Sequence, residues 1–169
     1  MKARVEREQA WAFLNLMQVS GLVKDALDEH LQETAAMSLA EQGMLIRIAT
    51  ARDGRVRMAN LASLMMVSRS GATRIVDRLE QAGLVRREFG PEDRRATFAA
   101  VTEKGRALAM RSMPVFKRAV EERFIRFLDA EDVACLRRTL RKVLEGNGVW
   151  DDARCSPPFP LMSRTKART

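Results

Sequence analysis

Arg69, Arg74, Arg78, Arg86, Arg87, Arg94 and Arg95 crowd one short part of the chain, with the small hydroxyl residues Ser70 and Thr73 among them. A guanidinium is a planar, permanently charged fork that meets phosphate oxygens, or the major-groove edge of guanine, through two hydrogen bonds at once. Small hydroxyl residues let a backbone come close to such a ligand while offering a donor or acceptor of their own. The chemistry open to this set is recognition of a polyanion, with no bond made or broken.

No catalytic constellation accompanies it. There is no glycine-rich phosphate loop, no G-x-S-x-G and no nucleophile with a base in view, so the chain reads as a non-enzyme without catalytic residues or cofactor. His30 is the sole histidine, and the two cysteines, Cys135 and Cys155, form no CxxC, which leaves neither a metal site nor a disulfide framework. The N-terminal MKARVEREQA lacks the apolar core of a signal peptide, and no run approaches the roughly 18 apolar residues of a membrane span. The expectation is a cytoplasmic protein with no membrane partner.

Charge points the same way. With 30 Lys and Arg against 22 Asp and Glu, the net charge is +8 and the pI about 10.4. Residues 52–95 carry 10 basic and 6 acidic side chains, residues 134–169 carry 8 and 3, and residues 1–51 carry 5 and 7. The excess therefore sits with the arginine cluster and at the C-terminal end, where SPPFPLMSRTKART reads as part of a poorly ordered basic tail over 147–169.

The cluster needs elements to position it. From Glu6 to Leu31 the apolar residues Trp11, Phe13, Leu14, Leu16, Met17, Val19, Leu22, Val23, Leu27 and Leu31 recur at helical intervals on more than one face. Such a helix is packed on two sides, against its own domain and against a second subunit. Ser38 and Glu41 have capping-box spacing, so a second helix starts there and buries Met44, Leu45 and Ile48. Asp53-Gly54 marks a turn before a short strand at Arg55 to Met58. A short helix, Ala59 to Met66, then breaks at Met66-Val67-Ser68 into another, the helix-turn-helix pattern.

In that second helix Ser68 is the N-cap, Ala72, Ile75, Val76 and Leu79 form one face, and Gly83 supplies the stop. Ser70, Thr73, Arg74 and Asp77 occupy the opposite face and include no apolar side chain. Leu84 to Phe89 and Ala96 to Val101, joined by GPEDRR, read as an antiparallel hairpin with a charged tip. Thr102 caps a long helix to about Phe127 with a kink at Pro114. Asp129 caps the last helix, whose stripe Val133, Leu136, Leu140, Val143 and Leu144 ends at Gly146. Cys135 beside Leu136 reads as a small core residue.

These elements make a mainly α protein with a small antiparallel β-hairpin wing, a winged helix-turn-helix flanked by N- and C-terminal dimerisation helices. The divisions are 1–35 for the N-terminal dimerisation helix, 36–102 for the DNA-binding lobe and 103–146 for the C-terminal dimerisation helices. In this fold Ser70, Thr73 and Arg74 are placed to read base edges in a major groove, and Arg69, Arg78, Arg86 and Arg87 to contact phosphates. Asp93, Arg94 and Arg95 at the hairpin tip would reach the adjacent minor groove. The same fold also allows a second reading, a winged-helix module that binds protein without sequence-specific DNA binding.

TRIVDRLEQAGLVRRE, followed by PEDRR and VTEKG, resembles the recognition helix and wing of the MarR family of bacterial transcriptional regulators, and the order of elements matches over about residues 5–146. The resemblance implies a homodimer with interlocked terminal helices bound to a pseudo-palindromic double-stranded DNA operator. It also implies release by a small aromatic or anionic effector lodged between the DNA-binding and dimerising parts, hence a ligand-responsive repressor. By position, Arg74 matches the family's base-reading arginine and Ser70 also faces the groove. Arg95 matches the wing arginine, with Asp93 able to orient it. Trp11 is placed like a tryptophan that lines a ligand pocket in one branch of the family. The N-terminal helix lacks the reactive cysteine of the family's peroxide sensors and the chain has no tyrosine, which argues against that mechanism.

Overall fold

A computed structural model describes residues 2–90 and 96–151, with side chains from residue 6 onward. Six α-helices and three short strands follow in the order α1 (Lys2–Ala35), α2 (Leu39–Thr50), β1 (Arg55–Arg57), α3 (Met58–Met65), α4 (Arg69–Gln81), β2 (Val85–Phe89), β3 (Thr97–Val101), α5 (Glu103–Arg123) and α6 (Ala130–Gly146), with a 3₁₀ turn at Ile125–Phe127 before α6. This is a winged helix-turn-helix with long helices on either side.

The helix starts follow local chemistry. The Ser38 hydroxyl accepts from the Glu41 N–H at 3.3 Å while the Ser38 N–H donates to Glu41 Oε2 at 2.7 Å, which satisfies two otherwise orphaned donors of α2. The Leu39 N–H donates to Asp28 Oδ1 at 2.6 Å and ties that helix start to α1. Ser68 caps α4 by accepting from the Gly71 N–H at 3.0 Å, and Thr102 caps α5 by accepting from Gly105. Between α3 and α4 the chain reverses at Met66, whose φ of +53° is left-handed. Gly83, at φ +70°, turns α4 into β2 in a conformation that costs glycine little.

The hairpin is part of a three-stranded antiparallel sheet. β1 lies on the far side of β3, in the order β1-β3-β2, with Val56 opposite Ala99 and Arg87 also opposite Ala99. The core lies between this sheet and helices α2, α3 and α4. Met44, Leu45, Ile48, Leu61, Ile75, Val76, Leu79, Val85 and Ala99 are buried in it, and Ala109 of α5 closes one side.

Two expectations need correction. α5, which contains Pro114, ends at Arg123, short of Phe127, where the 3₁₀ turn takes over. α6 ends at Gly146 as expected, and the left-handed residue that follows is Gly148, at φ +65°. Cys135 is exposed rather than core, because among the described residues none on α6 is fully buried. The α6 stripe exists, but among the described residues it is only partly covered: Leu136, Leu140 and Leu144 are half-buried and Val133 and Val143 are exposed. In the N-terminal half of α1, residues 6–20 are all exposed, including Trp11, Phe13, Leu14, Leu16, Met17 and Val19. The poorly ordered tail expected over 147–169 lies outside the described residues from 152 onward.

Candidate nucleic-acid interface

α4 is sharply two-sided. Ala72, Ile75, Val76 and Leu79 are buried against the core, whereas Arg69, Ser70, Thr73 and Arg74 are exposed on the other side. Turning the helix over would expose four apolar side chains, at a cost of about 1.5–3 kcal/mol for each of the larger ones, so the core determines which residues face outward. The Thr73 hydroxyl donates to the Arg69 carbonyl at 3.0 Å, and the Ser70 and Ser68 hydroxyls lie 3.1 Å apart. Both side chains are thus held close to the helix and leave room for an approaching groove. The side chains of Arg69 and Arg74 make no hydrogen bond or ion pair among the described residues.

The arginines expected at phosphates divide by environment. Arg69 is uncommitted. Arg78 donates through Nε to the Glu41 carboxylate. Arg86 sits on the outer face of the sheet with Nη2 2.6 Å from Glu88, and is largely exposed. Exchanging such a surface carboxylate for a phosphate costs little, since exposed pairs are worth about 0–1 kcal/mol. Arg87 is the most enclosed of them, with contacts to both Asp77 and Glu80. The Asp77 hydrogen bond holds its guanidinium pKa above the ordinary value against the opposing effect of burial, with further help from the Glu80 charge. Asp93, Arg94 and Arg95 lie outside the described residues; the Gly90 N–H donating to the Ala96 carbonyl at 2.8 Å closes the hairpin just below them.

A model of the MarR family matches residues 37–97, the stretch from the end of α1 into β3. The chain is similar over its whole fold to Sco3205 of Streptomyces coelicolor, a MarR family transcriptional regulator solved in complex with DNA: 33% identity, 83% of this chain, 88% of that one and a TM-score of 0.79. This chain belongs to the MarR family of transcriptional regulators.

Two further likenesses bear on the MarR-family reading. HTH-type transcriptional regulator MhqR of Bacillus subtilis (strain 168) is 33% identical over 86 residues, which span 51% of this chain and 59% of MhqR. CouR of Rhodococcus jostii RHA1, solved bound to p-coumaroyl-CoA, is 29% identical with a TM-score of 0.67, over 76% of this chain and 87% of CouR.

Among the openings of this MarR-family chain, two were missed by sequence reasoning. One, of about 610 Å³, lies between α1, α2, α5 and the α3–α4 turn, with Lys24, Asp28, Gln42, Arg47, Met65 and Phe116 on its walls. Gln42 is buried; its Nε2 donates to the Ser112 carbonyl at 3.2 Å while Oε1 has no partner among the described residues. A glutamine four residues before Ile46, on the buried stripe of α2, was the available signal. The other, about 540 Å³, is an apolar cleft between α1 and the α5–α6 region that includes Leu16, Val19, Leu27, Phe124, Leu136 and Leu140. Trp11 is exposed and lines neither opening.

Proposed function

We propose that the protein is a sequence-specific double-stranded DNA-binding regulator, acting as a homodimer on a pseudo-palindromic operator and released from it by a small ligand, as a repressor would be. The observation that carries this reading is α4: its apolar face is locked into the core, and its outer face carries Ser70, Thr73 and two arginines without partners among the described residues. Arg74 reads a base edge, Ser70 and Thr73 line the approach, and Arg69 and Arg86 take phosphates. Arg94 and Arg95, with Asp93 beside them, enter the minor groove. The function has no catalytic step and uses no cofactor.

The exposed apolar surface of α1 and α6 supports the dimer. Six large apolar residues between Trp11 and Val19 stand open to solvent, as does the apolar cleft beside Leu136 and Leu140. A contiguous surface of that kind is a protein interface in a soluble chain. The cavity behind the helix-turn-helix supports ligand control, since about 300–1,000 Å³ suits a small organic molecule. Lys24 and Arg47 on its wall and the ring of Phe116 suit an aromatic or anionic effector. We place the protein in the cytoplasm; among the described residues no helix is long and apolar enough to cross a membrane.

Selection of bound duplexes from a random pool, followed by gel shifts at two salt concentrations, tests the reading. A palindromic consensus with half-site centres about 10 base pairs apart is the expected outcome. Binding that shows no sequence preference and vanishes with moderate salt would favour the protein-binding alternative.

A further inference from the structure

Arg87 does not face solvent along with its neighbour Arg86. In the β2 register it lies opposite Ala99, a core residue, and so projects toward α4. Its backbone N–H donates to Glu80 Oε1 at 2.9 Å, its Nη1 donates to Glu80 Oε2, and its Nη2 donates to Asp77 Oδ1 at 2.6 Å. Main chain and side chain of one strand residue are thereby attached to two carboxylates one turn apart on the recognition helix.

Two consequences follow. The hairpin is attached to α4 through an ion-pair network, so the wing and the reading helix move together. Asp77 also stands three residues after Arg74, the spacing at which helix neighbours of opposite charge pair. With Asp77 held by Arg87, Arg74 makes no ion pair among the described residues. Were Arg87 to turn to a phosphate instead, it would uncover two negative charges on the helix that approaches a polyanion.

We propose that Arg87 is a positioning residue of the reading head: it fastens the wing to α4 and keeps Asp77 from capturing Arg74, and it does not contact phosphate. This rests on the DNA-binding reading above. The discriminating measurement uses the full-length protein and its selected operator. Binding constants are compared between that operator and duplexes substituted at the base read by Arg74, for wild type, Arg87→Gln, Asp77→Asn and the double variant. Arg87→Gln lowers discrimination at that base by about tenfold or more, within the range of one bidentate base contact. Adding Asp77→Asn restores most of it, because the carboxylate that would capture Arg74 is gone. A phosphate contact behaves otherwise: Arg87→Gln would weaken all duplexes equally and lower the salt slope by about one. That result, or failure of Asp77→Asn to restore discrimination, overturns the proposal.

Should Arg87→Gln not fold, as judged by circular dichroism and thermal melting, Arg87→Lys reaches only one carboxylate and is read the same way. Partial loss of discrimination supports the proposal; uniform loss overturns it. A wild type without sequence preference would instead end the DNA-binding reading, an outcome separate from either.

Discussion

Arg78, in the last turn of α4, donates to the Glu41 carboxylate that also closes the capping box of α2. One carboxylate thus orders a helix start and fixes the end of the recognition helix. Burial by itself would raise the Glu41 pKa, but the Ser38 N–H, Arg78 and the Ser38 hydroxyl outweigh it, and the carboxyl lies below its ordinary value of 4.5. A depressed carboxyl contributes stability that is present above the unfolded pKa and lost as pH falls through the folded one. Glu41→Gln should therefore cost about 1–2 kcal/mol in urea melts at pH 7, where the cap and the ion pair both act. The gap from wild type should narrow in melts at progressively lower pH, as the wild-type carboxyl is protonated through its folded pKa.

Gly105 lies where α5 docks on the end of the α4–β2 turn. A Cβ there would stand 1.9 Å from the Leu84 carbonyl oxygen, which is held in place by the Thr102 N–H and hydroxyl, each at 3.1 Å. Neither side can give way without breaking the cap of α5. Gly105→Ala should lower stability by about 2–3 kcal/mol, and a melt unchanged from wild type would show that the α5 start is looser than these contacts require.

Arg74→Ala should lose roughly 1–3 kcal/mol on the preferred operator and flatten discrimination at one base position in each half-site. Arg69→Ala should weaken all duplexes alike and lower the salt slope by about one. Equal, uniform losses from both variants would remove the distinction between reader and phosphate contact.

Leu140 lies half-buried on α6, lining the apolar cleft. Placing a carboxylate in a dimer seam is costly, so Leu140→Asp should shift sedimentation from dimer toward monomer and reduce operator affinity with it. A monomeric wild type at micromolar concentration would rule the dimer out.

Effector binding should be lost on Phe116→Ala, which removes an aromatic wall of the cavity behind the helix-turn-helix. Aromatic acids that raise the melting temperature are the compounds to carry forward. By linkage, a true effector weakens operator binding by the same factor that operator weakens effector binding. A response lost on Trp11→Ala but kept on Phe116→Ala would move the site to the outer half of α1.

Local order in this chain was legible from its residues alone. Ser38 with Glu41, Ser68, Thr102 and Asp129 each start a helix by capping their own neighbours, and Gly83 turns the chain with its own backbone. The period of Ala72, Ile75, Val76 and Leu79 settled which side of α4 faces outward, because burying apolar area outweighs any preference of the polar side. Partnership across the fold was not legible. That Arg78 would meet Glu41, that Arg87 would meet Asp77 and Glu80 while Arg86 turned the other way, and that Gln42 would border a cavity beneath the reading head all depend on strand register and helix docking. Those are set by packing between segments far apart in sequence, where a shift of one residue in β2 would exchange the surroundings of Arg86 and Arg87.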